Sequence, residues 1–330
     1  GHLIFINTGR PISTIDQEIH DLNPDGYICG CGTYITYHDQ VIYHHQLSKE
    51  RCKEIASLIK KYEIDAVLES KDHVYFNTHI KNSFVQGIQK RYTNNGFNVS
   101  TSEDPNLSFD KFTIWFDHDI QAFRDNISQD FDIIERSEEM WEIVPKNHSK
   151  ATGIQTVADG FKSDLDHCYV FGDSFNDESM LRYVKHSIVM ANGVQAMKDI
   201  AYFVPNENEM HTFVPGEMSL EEKAQILLDK GVENVIVTLG EKGCYLRNRD
   251  CSMYFEGTGF EAVDTTGGAD SFISALAVCL SEGRDLVYSI GFAIYASGIS
   301  VTRHGVQPAL PDRKTVEIYE EEIYERYHIK

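Results

Sequence analysis

Residues 168–177 read Cys-Tyr-Val-Phe-Gly-Asp-Ser-Phe-Asn-Asp, an apolar run that ends at Gly172 and releases two carboxylates, Asp173 and Asp177, into the following turn. A short apolar run bounded by a turn reads as a buried strand, and open α/β sheets bind ligands beyond the carboxyl ends of such strands. Two hard oxygen donors so placed suit Mg2+.

Working outward, residues 3–6 form a second short apolar run, closed by the polar turn Asn7-Thr8-Gly9-Arg10-Pro11. The Thr8 hydroxyl there can donate to a phosphoryl oxygen. Lys150 leads a stretch of helical spacing over 149–161 and can neutralise phosphoryl charge, so the set describes phosphoryl transfer. Taken singly, each feature also fits a plainer role: Asp173 and Asp177 as helix caps, Thr8-Gly9 as a turn, Lys150 as a solvated side chain. Further strands are expected at 27–35, 41–43 and 187–190, with a helix at 48–61. Between 64 and 144, strand-like runs at 66–68, 112–116, 131–134 and 141–144 and helices near 82–94 and 120–128 make an α+β insert.

In this order, INTGRP, NHSKATG and GDSFND resemble the haloacid dehalogenase superfamily, in particular its Cof-type sugar-phosphate phosphatases, over residues 1–204. The resemblance implies a Rossmann-like core at 1–46 and 145–204 with an α/β cap at 47–144. It makes Thr8 and Lys150 catalytic, Asp173 and Asp177 the Mg2+ carboxylates, and Asn176 a residue orienting loop or substrate. The family's aspartyl nucleophile, in a DxDxT motif, would precede the Thr8 turn, ahead of residue 1. The sequence as it stands is therefore expected not to hydrolyse phosphate esters. Without that central strand two sheet edges would need cover, from packing between partial sheets or from a second copy in a homo-oligomer.

After Pro205 a second α/β unit begins, with a helix at 219–230, a strand at 235–239, helices at 270–280 and 286–301 and a closing helix at 314–326. Here Asp264-Thr-Thr-Gly-Gly-Ala-Asp270 sets a Gly-rich turn before an apolar helix, where backbone N–H groups can cradle an anion and Asp270 can act as a general base. A simple helix cap is the equal alternative at that stretch. With Asn206-x-x-Glu209, the turn Thr238-Leu-Gly240 and Thr302-Arg-His-Gly305, the region resembles the carboxyl-terminal half of the ribokinase-like, phosphofructokinase-B carbohydrate kinases. That likeness implies an ATP site: Asp270 as base, Gly267, Gly268 and Ala269 as anion hole, Asn206 and Glu209 organising Mg2+ and phosphate, Thr238 and Gly240 beside the nucleotide. Asp264 would serve a monovalent cation. Relatives carry Gly-Ala-Gly-Asp, so Ala269 is expected to weaken the anion hole, because alanine resists a positive φ.

The 330 residues carry 30 Lys and Arg against 51 Asp and Glu, a formal charge of −21. No basic part is hidden in that total, since 19 basic face 30 acidic residues up to Val204 and 11 face 21 beyond it. Nucleic acid and anionic membranes are thereby disfavoured as partners, leaving a small sugar or sugar phosphate and a nucleotide. Seven cysteines, odd in number and without a CxxC pair, point to a reducing cytoplasm, with Cys29 and Cys31 as small buried residues. The reading is thus a phosphoryl-transfer protein: a Mg-dependent sugar-phosphate phosphatase-like part followed by an ATP-dependent sugar kinase-like part. A phosphatase completed by a preceding segment and a noncatalytic nucleotide or sugar-phosphate binder are the alternatives.

Overall fold

A computed structural model describes residues 2–329 except 39, 173–176 and 191–199. The chain divides into two compact units, residues 1–163 and 164–330.

The first unit opens with a four-stranded sheet in spatial order β1 (Phe5–Asn7), β2 (Gly26–Cys29), β3 (Tyr34–Tyr37) and β4 (Gln40–His44); β1 and β2 are parallel, and β1 is an edge. The strand expected at 27–35 is broken, because Gly30, Cys31 and Gly32 all take positive φ and turn the chain between β2 and β3. Helix α1 (Lys49–Lys61) follows, capped by Ser48 accepting from the Arg51 N–H and burying Cys52, Ile55 and Ile59 on one stripe.

The expected insert is a second, six-stranded sheet. It contains β5 (Asp65–Glu69), β6 (Val74–Phe76), helix α2 (Ser83–Asn94), β7 (Val99–Thr101), β8 (Lys111–Trp115), helix α3 (Gln121–Ile127), β9 (Phe131–Ser137) and β10 (Met140–Pro145), with strand order 7-6-5-8-10-9. Strand alternation splits its residues between two faces. Ala66, Leu68, Phe112, Ile114, Trp141 and Ile143 pack with α1 and α3; Val67, Val74, Phe76 and Trp115 pack with α2. Helix α4 (Lys150–Phe161) ends the unit, its Ser149 cap closing a reciprocal box with Thr152.

The second unit is built on one sheet of six neighbouring strands: β11 (Tyr169–Gly172), β12 (His186–Met190), β13 (Ile200–Val204), β14 (Val232–Thr238), β15 (Cys244–Asn248) and β16 (Ser252–Phe255). The division drawn from sequence after Val204 falls inside this sheet, because β13, which has no counterpart among the expected strands, pairs in parallel with β14. Between them lie α5 (Glu207–Phe213) and α6 (Leu220–Asp229), the latter packed on β14 and β15. Helices α7 (Gly268–Ser281) and α8 (Leu286–Ser300) bury one sheet face with Ile188, Val204, Ile236, Leu246 and Phe255. The closing helix is two shorter ones, Arg313–Glu317 and Glu320–Arg326, which seat Val316 and Ile323 in that same core.

Candidate functional site

In the first unit, Thr8 follows the end of β1. Its N–H donates to Ile28 O at 2.8 Å, its carbonyl accepts from Cys31 N at 3.2 Å, and its hydroxyl accepts from Arg10 N at 3.1 Å. Helix α4 approaches the same turn through a glycine contact: a Cβ on Gly32 would lie 2.7 Å from Ser149 O and 3.2 Å from Gly153 N. Asn7 Nδ2 then donates to Lys150 O at 3.0 Å. The fold thus brings together the segments bearing Thr8 and Lys150. Lys150 is buried, which corrects the solvated alternative.

A row of charges on the cap sheet, missed in sequence, reaches this turn. Buried Lys111 donates to Gly9 O at 2.9 Å and lies 2.6 Å from Glu142 Oε1 and 3.2 Å from Glu69 Oε2; Arg136 pairs with the other Glu142 oxygen. Burial pushes the Glu142 carboxyl up, but Lys111 and Arg136 outweigh it and hold it at about 2. At Glu69 burial prevails over Lys111 and the carboxyl is raised. The Lys111 ammonium is itself disfavoured by burial, yet the flanking carboxylates keep it protonated. The partners come from four strands, so only the register, in which Glu69 faces Lys111, could have signalled them. Burial pushes the Cys31 thiol up to about 12, in keeping with a small packed residue.

In the second unit, β11 to β14 are parallel and β16 runs with β14, so Gly172, Val204, Thr238 and Phe255 end at one edge. Asp177 is buried there, close enough to Gly172 that a Cβ on the glycine would lie 2.7 Å from its own. Asp173 and Asn176 lie outside the described residues, and among the described residues no group of three or more His, Cys, Asp or Glu is placed to hold a metal.

Asn206 and Thr238 are bridged in parallel at the same edge. Asn206 Oδ1 accepts from Glu209 N at 2.9 Å and Glu209 Oε2 accepts from Asn206 N at 2.7 Å, so this pair forms the capping box of α5. Gly240 takes φ +61 in the turn after Thr238. The chain leaving β16 passes that turn, since a Cβ on Gly257 would lie 2.1 Å from Glu241 O.

That segment leads to Asp264, whose carboxylate accepts from Thr266 N and Gly305 N, both at 3.0 Å. The Gly305 N–H, then Thr266, hold it at about 2. Gly267 caps α7 with φ +80, and a Cβ there would come within 2.8 Å of Val306 Cγ1. Gly268 N donates to Thr265 O and Ser271 N to Gly267 O, whereas the N–H groups of Ala269 and Asp270 meet no acceptor among the described residues, and both residues are exposed. Two such N–H groups at the positive end of a fourteen-residue helix fit an anionic phosphate. The conformational ground for a weaker anion hole at Ala269 is corrected: the left-handed position is Gly267, and Ala269 lies inside the helix without a positive φ.

Each unit by itself sets polar turns at the carboxyl ends of parallel strands, with a lysine-led helix in the first and a glycine-capped helix start in the second, and together they define a mixed α/β protein. The chain belongs to the haloacid dehalogenase-like hydrolases, whose family model matches residues 1–213. The model of the pfkB family carbohydrate kinases matches residues 171–313, so 171–213 answer to both and the chain joins the two. The 5-amino-6-(5-phospho-D-ribitylamino)uracil phosphatase of Bacillus subtilis is 26% identical over 224 residues, 63% of this chain and 81% of that protein. A ribokinase of Staphylococcus aureus is 33% identical over 127 residues, 37% of this chain but 41% of the ribokinase, so the chain spans less than half of that relative. A solved subclass IIB sugar phosphatase of the haloacid dehalogenase superfamily shares the fold, with TM-score 0.51 at 24% identity over 62% of this chain and 80% of that one. Among the described residues no helix is long and apolar enough to cross a membrane.

Proposed function

We propose that this is a phosphoryl-transfer protein whose carboxyl-terminal part acts as an ATP-dependent carbohydrate kinase. The observation that carries this reading is the start of α7, where two N–H groups that meet no acceptor among the described residues adjoin the exposed Asp270. Bound ATP would supply the transferable phosphoryl group, with Mg2+ offsetting its charge. The Asp270 carboxylate takes the proton from the attacking sugar hydroxyl, and the N–H groups of Ala269 and Asp270 donate to the phosphoryl oxygens as charge develops. Asp264 keeps the turn in place through Thr266 and Gly305. Asn206, Glu209, Thr238 and Gly240 border the nucleotide, and a monovalent cation would sit by Asp264. The test is MgATP-dependent phosphorylation across a panel of pentoses, hexoses and nucleosides. Turnover abolished by Asp270→Asn, with the MgATP-induced rise in Tm retained, supports it; saturable MgATP binding without turnover of any member favours a noncatalytic nucleotide binder.

The Thr8–Lys150 juxtaposition supports a second reading, a Mg2+-dependent sugar-phosphate phosphatase. Thr8 and Lys150 would hold the phosphoryl group, Asp173 and Asp177 the metal, and Asn176 the substrate. The edge strand β1 offers an open ladder to a strand bearing the aspartyl nucleophile. Adding a segment with a DxDxT motif ahead of Phe5 should then give hydrolysis of sugar phosphates that Asp173→Asn removes; no gain over the unextended chain counts against it.

A further inference from the structure

Between the end of β4 and the cap lies a polar cavity of about 210 Å3, walled by His44 and Gln46 from the β4 side and by Ser70, His73, Asn106 and Asp110 from the cap. It includes none of the residues assigned above, and its argument is independent of the phosphoryl-transfer reading. The volume exceeds the roughly 150 Å3 in which an apolar cavity takes up benzene, so one substituted six-membered ring fits.

The lining is chemically specific. Asp110 is 4% exposed, and His44 Nε2 lies 3.1 Å from both its carboxylate oxygens. One N–H shared between two oxygens leaves a carboxylate most of its roughly four acceptor directions. Ser108 Oγ accepts from Gln46 Nε2 at 2.9 Å and keeps its own proton to donate. Asn106, an exposed residue of the lining, offers both an amide donor and a carbonyl. The His73 and Tyr75 rings stack with centroids 5.8 Å apart and give the wall an apolar surface.

Charge selects among ligands. The Lys71 ammonium is 2.6 Å from Asp72 Oδ2 and is neutralised there, so the lining presents the buried Asp110 carboxyl and no unpaired Lys or Arg among its described residues. A phosphate or carboxylate finds no unpaired cation there, whereas hydroxyl groups can donate to the Asp110 carboxyl and exchange hydrogen bonds with amide and serine. We infer that this cavity binds an uncharged polyol or monosaccharide, and that the occupant ties β4 to the cap because its walls come from both.

The test uses the whole chain, with calorimetric and saturation-transfer titration of ribose, glucose, myo-inositol and glycerol, and inorganic phosphate as the anionic probe. Saturable binding of at least one polyol is expected, weakened about tenfold by Asp110→Asn and by Asn106→Ala, undisplaced by phosphate and unchanged in Asp270→Asn. Asn106 is exposed and its truncation leaves the core intact, so the Asn106→Ala result stands even where Asp110→Asn fails to fold. Absence of saturable polyol binding overturns the proposal, as do competition by phosphate, equal affinity in Asn106→Ala, or loss of binding in Asp270→Asn.

Discussion

The ammonium of Lys111, on a central cap strand, donates to the carbonyl of Gly9 at 2.9 Å, so the cap holds the turn that carries Thr8. The same ammonium is shared by two buried carboxylates, and its removal strands both. Breaking a buried pair from one side costs about 3–5 kcal/mol. Lys111→Met should lower stability by about that amount in urea unfolding, and adding Glu69→Gln should recover part of it. An unchanged midpoint would mean that the network is not formed in solution.

Acid should find this network early. The Glu142 carboxyl is held at about 2 against an ordinary 4.5, so between those values the unfolded chain binds the extra proton. Its contribution is complete above the ordinary value and is lost as pH falls toward 2. Glu69, raised by burial, works with the opposite sign, so the diagnostic quantity is a difference. Tm measured from pH 6 to pH 2 should fall more steeply for the native chain than for Glu142→Gln.

At the start of α7 two neighbouring positions should behave oppositely. Gly267→Ala forces a Cβ onto a left-handed residue and to within 2.8 Å of Val306, at a cost of about 1–2 kcal/mol, and should abolish the MgATP-induced rise in Tm. Ala269→Gly should gain no MgATP affinity and lose about 0.5–1 kcal/mol of stability, since glycine only loosens a helical position. A gain in affinity would restore the expectation drawn from the motif.

Asn206 separates capping from chemistry. Serine caps as well as asparagine, so Asn206→Ser should hold stability within about 0.5 kcal/mol, while Asn206→Ala costs about 1 kcal/mol. Under the kinase reading both lower MgATP-dependent turnover. Full turnover in the serine variant would make the box with Glu209 its whole task.

Those strands and helices that were legible in the sequence were so because their signals are local. Ser48 before the Cys52, Ile55, Ile59 stripe announces α1, and the apolar run to Gly172 announces β11. The turns at Thr8, Lys150, Asp264 and Asp270 were equally legible, each being a polar cluster against a hydrophobic run. Three neighbouring positive-φ residues, Gly30 to Gly32, broke an apparently continuous strand because a turn between apolar segments leaves the hydrophobic pattern intact.

Partnership between distant segments is what the sequence by itself did not determine. Strand pairing depends on backbone edges that any apolar strand offers, so nothing in Ile200–Val204 says that it joins β14 and makes one sheet of segments matching two families. Lys111 meets Glu69, Glu142 and Gly9 only once the register and the closure of the cap are set. Residue types and local spacing determined which chemistry each turn can carry; tertiary structure alone decided which turns share an edge, because hydrogen-bond register and burial are properties of the folded pair.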